Sequence, residues 1–518
     1  MKKSKMLRTI ASFVAVALLL TGCGNASDTT DKKNSDVKSD DSKDSVIFSI
    51  SSEPTSLDPH QTKDTISYLV IFQMFDTLTR EEPDGTLSPA LAESWEFDNS
   101  GLELTLKIRE GVKFHNGETM TPEDVAYSIN RAIASSYTSA FTNTMESMEV
   151  VDDTHVKLIL KERYAAVLNC LSSANMAIVN KKAAEEAGDS FAKQPVGTGP
   201  YKFVDWSTGE KVVMECFDDY WRGKAEIKNL TFKIHTDKST AAIALEKGEV
   251  DVLYFPNTDD RQHLMDLPNV TWEEGKAATL YYVAFNCRDG IFANVNLRKA
   301  VCYALNRDAV ITGGVNGLAI PTMSSIPMNT SFYKDFDGYD YNLEKAKEYL
   351  SKAGYPDGFT VKMKCNQSSQ YSKSTEVIQA LLADVGINVE IELMERAAYL
   401  EETQTACNYE LTFYVITNNI SDPDYMFTRR FHTSMERGGN NFTLHTIEGF
   451  NELIDSARGE QDVDKRQELY DEMNQIVYEN AIICPLYQGM TYIAFNSDLQ
   501  GVYTSPAERH YVYEYSWK

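Results

Sequence analysis

Between Thr375 and Leu393 the apolar residues change period once: a helical stripe over 375–385 ends at Gly386, and the alternation Ile387, Val389, Ile391, Leu393 follows at once. A striped helix and a one-faced strand joined by one glycine must each bury an apolar side, and helix layered on sheet is the compact solution. The pattern recurs in part upstream, where 342–353 reads as a helix stopped by Gly354, and Leu297, Val301, Ala304 and Leu305 mark another stripe. This end of the chain reads as an α/β lobe.

The earlier half has its own signals. Val46, Phe48 and Ile50 alternate as in a half-buried strand, after which the Glu53-Pro54 and Asp58-Pro59 steps force an extended or turning path. Leu102, Leu104, Leu106 and Ile108 give one strand face, Asn116-Gly117 a turn, and Thr121, Pro122 and Asp124 the start of a capped helix. Strands at 201–206, 211–217 and 230–235, a helix over 239–247 and a strand over 250–255 make a second mixed α/β unit. The tail from Cys484 is strand-like again.

At the N-terminus, Lys2, Lys3, Lys5 and Arg8 precede an apolar run over 10–20. That run falls short of the roughly 20 residues a spanning helix needs, so 1–22 reads as an export signal. Its end, Leu20-Thr21-Gly22-Cys23, resembles the lipobox of bacterial lipoproteins, which implies a Cys23 thiol carrying diacylglyceryl with acyl chains such as palmitate. Residues 23–45, without an aromatic and with a single Val, read as a flexible tether. The expected place is the outer face of a cell membrane, anchored by lipid.

Lys and Arg number 50 against 76 Asp and Glu, a net charge of −26, which repels phosphate backbones and argues against nucleic acid. Cys170, Cys216, Cys287, Cys302, Cys365, Cys407 and Cys484 are widely spaced with no Cys-x-x-Cys pair, a pattern of small buried residues rather than a zinc site or disulfide framework. The eight histidines lack ligand spacing, and there is no Gly-x-Ser-x-Gly elbow, His-Glu-x-x-His helix or phosphate loop. No catalytic residue, metal site or cofactor is expected.

Several stretches carry a resemblance in their order and spacing: the segment from Pro89 to Ala132, "PVGTGPYKF", "DDYWRG", "STAAIALEKGEVD", "FNCRDGIFANVNLRKAVCYALNRD", "YNLEKAKEYLSKAGY" and "ISDPDY". Together they are similar to the peptide and nickel type (family 5) solute-binding proteins of ABC importers. The resemblance implies a bilobal periplasmic-binding-protein type II-like α/β fold with an extra inserted subdomain, the cluster C type. Lobe I would take 46–80, 196–284 and 491–518, the insertion 81–195, and lobe II 285–490. The chain would cross near 284–286 and 486–490. The implied partners are a small solute, by preference a short peptide, and the ABC permease subunits, with the chain acting as a monomer. An oligosaccharide or a nickel or other metal complex is the alternative ligand, and a membrane-anchored receptor, chaperone or hydrolase the more distant one.

In the family pattern an Asp shortly before the Asp-Pro pair holds the peptide ammonium. Here Asn419 stands at that place, leaving Asp422 and Asp424 as substitutes, or else as parts of an ordinary Asx-Pro turn. Arg429 and Arg430 are candidates for a ligand carboxylate. Ser52, Glu53, Thr55 and Tyr254 lie where the family's pocket wall runs. Asn286, Tyr487, Tyr281, Tyr282 and Gln488 lie near the crossings, and Asn418 and Trp206 are further possibilities.

Overall fold

The computed structural model describes residues 43–518 except 439, 507 and 508. The export signal and Cys23 lie outside the described residues. The tether was expected to run to residue 45, but Lys43 already pairs with Asp251, and the Asp44 carbonyl accepts from the Lys228 amide at 2.7 Å.

The spine is an 11-stranded sheet. On one flank, Phe359–Asn366 lies parallel to both Ile387–Met394 and Leu411–Thr417. On the other, Ser45–Ile50 lies parallel to both Asn229–Ile234 and Val252–Tyr254, and the antiparallel strands Lys211–Cys216 and Tyr201–Ser207 complete the edge. Two long antiparallel strands, Val270–Phe285 and Ile483–Asn496, join the flanks. The first pairs with Leu411–Thr417 over its C-terminal half, and the second pairs with Val252–Tyr254 near its C-terminal end.

The helix, glycine and strand of the opening pattern fold as read. Helix Ser369–Ala383 begins earlier than expected, Gly386 takes φ +87°, and Ile387–Met394 follows. Helix Leu343–Lys352 has Asn342 as its N-cap. Ala284, Phe285 and residues 486–490, where the crossings were expected, lie in these two long strands, whose register breaks between Lys276 and Leu280, opposite Met490 and Gln488. Gly489 is required here, since a Cβ would stand 2.4 Å from Thr279 Oγ1.

A separate four-stranded antiparallel sheet runs in the order Ala92–Phe97, Glu103–Ile108, His155–Leu160, Met145–Val150. Leu104, Leu106 and Ile108 are buried as expected, whereas Leu102 precedes the strand and is 36% exposed. Helix Pro122–Ala134 covers this sheet, with Thr121 and Asp124 closing a reciprocal capping box. Three main cores follow: one over 280–487, one uniting 46–75 with 174–254 and 493–515, and one over 78–178. Ile420 and Tyr425 also pack into the third, although their neighbours in sequence belong to the first. All seven cysteines among the described residues are free, six of them buried. No helix among the described residues is long and apolar enough to cross a membrane.

Two buried histidines hold the N-terminal segment. Arg131 grips the Asp58 carboxylate at 2.7 Å and donates to His60 Nδ1 at 2.8 Å, so Nε2 carries the proton and donates to the Ala177 carbonyl at 3.1 Å. Burial, with Arg131 adding to it, lowers the His60 pKa to about 4. His510, packed between Phe48, Tyr254 and Tyr503, is likewise lowered to about 4 by burial. A base whose pKa is depressed by folding takes up protons first in the unfolded chain. Its contribution is complete above about pH 6.5 and is lost as pH falls toward 4, at about 1.4 kcal/mol per pH unit per histidine. Thermal unfolding midpoints should therefore fall between pH 6.5 and 5, with a shallower slope in His510→Phe. A flat profile over that interval would contradict this account.

Candidate functional site

A cavity of about 860 Å³ opens where the strand register breaks, and Ala277, Ala278 and Thr279 form its floor. This volume lies in the range of small-molecule sites. Helix Thr65–Met74, capped by Asp64, presents Tyr68 and Phe72 to it from one side. The segment joined to the four-stranded sheet contributes Tyr137, Phe141, Glu162 and Tyr164. The opposite wall comes from the end of strand Leu411–Thr417 and the helix Asp424–Phe431: Asn418, Asn419, Asp424, Tyr425 and Arg429.

The wall is held by hydrogen bonds. Tyr68 donates to Asn175 Oδ1 at 2.7 Å, and burial pushes its hydroxyl pKa up to about 12. Asn419 Nδ2 donates to the Tyr425 hydroxyl at 2.9 Å. The Asn418 amide donates to the Ala278 carbonyl at 2.7 Å, tying the loop to the cavity floor. Asp424 accepts from Thr428 Oγ1 at 2.8 Å, and Arg458 Nε stands 4.0 Å away. Burial raises the Asp424 pKa, with Arg458 opposing it. Arg458 also pairs with Glu162 at 3.2 Å, and Arg509 pairs with Glu81 at 3.2 Å.

Of the sequence candidates, Asn418, Asn419, Asp424 and Arg429 meet in this cavity. Asp422 does not reach it. Its carboxylate is gripped by Arg466 at 2.8 and 2.9 Å, touched by the Tyr470 hydroxyl at 3.3 Å, and accepts the Asp424 amide at 3.0 Å. The turn reading of Asp422 is thus the one the geometry fits, with the charge balanced inside the fold. Arg430 likewise turns away, donating to the Asn440 carbonyl at 3.0 Å beneath Tyr414 and Phe442.

The remaining candidates sit elsewhere. Glu53 accepts from Trp206 Nε1 at 2.9 Å and the Gly209 amide at 3.0 Å, linking its loop to a strand turn. Ser52 is exposed, and Thr55 bonds Thr62 in its own loop and Ser67 in the helix that follows. Tyr254 packs on Phe48 and His510 in the core. Tyr487 is 1% exposed and stacks on Tyr281 at 4.7 Å. Gln488 straps the crossing to the Ala277 carbonyl and the Met328 amide. Asn286 closes a local turn by accepting the Asp289 amide at 2.9 Å, beside a separate groove. Lys63, Tyr68, Tyr164, Arg458 and Arg509 were not among the candidates, and only Lys63 and Tyr68 had a nearby signal, the rigid Asp-Pro loop before them.

The chain is 30% identical to the glutathione-binding protein GsiB of Pectobacterium atrosepticum, over 69% of this chain and 71% of that one. It is 26% identical to heme-binding protein A of Haemophilus influenzae, over 96% and 97%. The structure of the periplasmic binding protein DppA of Helicobacter pylori with peptide STSA superposes with a TM-score of 0.74 at 28% identity, covering 91% of this chain and 98% of that one. The family model for the middle part of the bacterial extracellular solute-binding proteins, family 5, matches residues 86–437. The chain belongs to the family 5 bacterial extracellular solute-binding proteins, with the bilobal type II binding-protein fold of that family.

Proposed function

We propose that this protein captures short peptides between two lobes and delivers them to the permease of an ABC importer, held to the outer face of the cell membrane by lipid on Cys23. The lobes are assigned as 46–80, 196–284 and 491–518 for the first, with 81–195 inserted, and 285–490 for the second. The observation that carries this reading is the cavity at the register break, walled from both flanks of the sheet by aromatic rings and polar groups. Rings and amides suit a ligand with a constant backbone and varied side chains. Among the described residues the lining contains no His or Cys, which weighs against a metal complex. Peptide-sized ligands are also named for two of the similar proteins, glutathione and STSA.

The seam supports a hinge motion. Ser421 donates to Glu81 Oε1 at 2.6 Å, the Ala165 amide donates to the Arg458 carbonyl at 2.9 Å, and Ile420 and Tyr425 are buried against the inserted part. Opening would separate these contacts and expose the cavity, so affinity reports the difference between open and closed forms.

Native mass spectrometry of freshly purified protein should release a mixture of peptides. A single sugar or a metal complex would overturn the peptide reading. Asp422→Ala should lower stability by about 3–5 kcal/mol, because it leaves Arg466 buried and unpaired. Asp422→Asn, which keeps hydrogen bonding, should leave the calorimetric affinity of the folded protein within about threefold. A loss of affinity without loss of stability would instead make Asp422 a ligand contact.

A further inference from the structure

The cavity is charged against the grain of the chain. The protein has a net charge of −26, yet the cavity is lined by Lys63, Arg429, Arg458 and Arg509 against Glu162 and Asp424. Both acids are engaged. Arg458 stands between them, and Arg509 is balanced by Glu81 behind the wall. That leaves Arg429 and Lys63, neither of which has a carboxylate within 4.0 Å among the described residues.

Arg429 is also prepared for a ligand. Its guanidinium lies 4.9 Å from the centre of the Tyr425 ring, and that ring is fixed by the bond from Asn419 to its hydroxyl. A stacked guanidinium keeps its in-plane N–H groups free for a bidentate acceptor. The adjacent Arg430 differs, with its head packed under rings and bonded to a carbonyl. Lys63, exposed at the opposite wall beside Tyr137, adds positive charge. The wall offers an ammonium little in return, since Asn419 is neutral, Asp422 is held by Arg466, and Asp424 is pinned by Thr428 and Arg458.

Resting on the proposed capture of peptides, we infer that the cavity selects solutes of net negative charge, with Arg429 reading an acidic side chain of the ligand and thereby setting specificity. Short peptides with acidic side chains fit this balance, and peptides with basic side chains do not. Burying a carboxylate needs an opposite charge at hydrogen-bond range, and Arg429 supplies it.

The test is calorimetry on ligand-free protein with Ala-Glu-Ala, Ala-Ala-Ala and Ala-Lys-Ala at low and moderate salt. The wild type should bind them in that order, with the first step at least about tenfold and shrinking as salt rises. Arg429→Gln should weaken Ala-Glu-Ala by about tenfold or more while changing Ala-Lys-Ala little, and Arg429→Lys should restore only part of the loss. Unfolding midpoints of both variants should match the wild type, since the side chain is partly exposed. Equal losses for all three peptides, or tighter binding of Ala-Lys-Ala by the wild type, would overturn the inference. If none of the peptides binds, the peptide reading fails separately. The charge of the co-purified solute then decides this one, a net negative solute upholding it and a neutral or cationic one sinking it.

Discussion

Everything else in the molecule depends on the pairing of two strands, Val270–Phe285 and Ile483–Asn496. Paired with each other, one holds a strand of one flank and the other a strand of the opposite flank, so both parts of the chain inherit their geometry. Their ladder runs from Val270 with Asn496 to Lys276 with Met490, breaks, and resumes at Leu280 with Gln488. A break in an antiparallel ladder bends the strand and re-aims side chains. The residues released there, Ala277 to Thr279, are the ones that floor the cavity. The cavity and the break in the ladder are thus two results of one irregularity, and Gly489 makes it sterically possible.

Around this axis the fold buries charge to an unusual depth. Asp422 and Arg466, and Glu81 and Arg509, are each paired with almost no exposure, and Asp424 lies close to Arg458. Ionic groups removed from water contribute little net stability, but leaving one unpaired is costly, so such pairs constrain orientation more than they add free energy. The loop from Asn418 to Tyr425 illustrates this. Its Asp422 is fixed from one side by Arg466, and its Ser421 from the other by Glu81, which leaves Asn418, Asn419 and Tyr425 facing the cavity.

What could be read from sequence follows from the range of the forces involved. The capping box of Thr121 and Asp124, the helix stop before Ile387 and the Asn342 cap are set by neighbours a few residues away, and they fold as read. The candidate site rests on distant partners, and there the reading was mixed. A carboxylate at 422 has the same letter whether it faces a ligand or an arginine 44 residues on, and only packing decides. Arg429 and Arg430 are adjacent and chemically identical, yet their positions on one helix send one head to the cavity and the other under Tyr414. Glu53 and Tyr254 are near the right region of the sheet, but their side chains are taken by Trp206 and by the core.

The same placement bears on how closure would be coupled to occupancy. Arg509 lines the cavity and pairs with Glu81, and Glu81 accepts from Ser421 across the seam. A ligand shifts an equilibrium only by the difference in its affinity for the two states. On the proposed motion, Tyr68 and Lys63 lie on one side of the hinge and Arg429 and Asn419 on the other, so only the closed form presents all four to one solute. An anion held between Lys63 and Arg429 would then offset the repulsion of two cations brought together by closure. Without it, that repulsion would favour the open form. The cation excess in the cavity would therefore act on shape as well as on selection, making an empty protein reluctant to close.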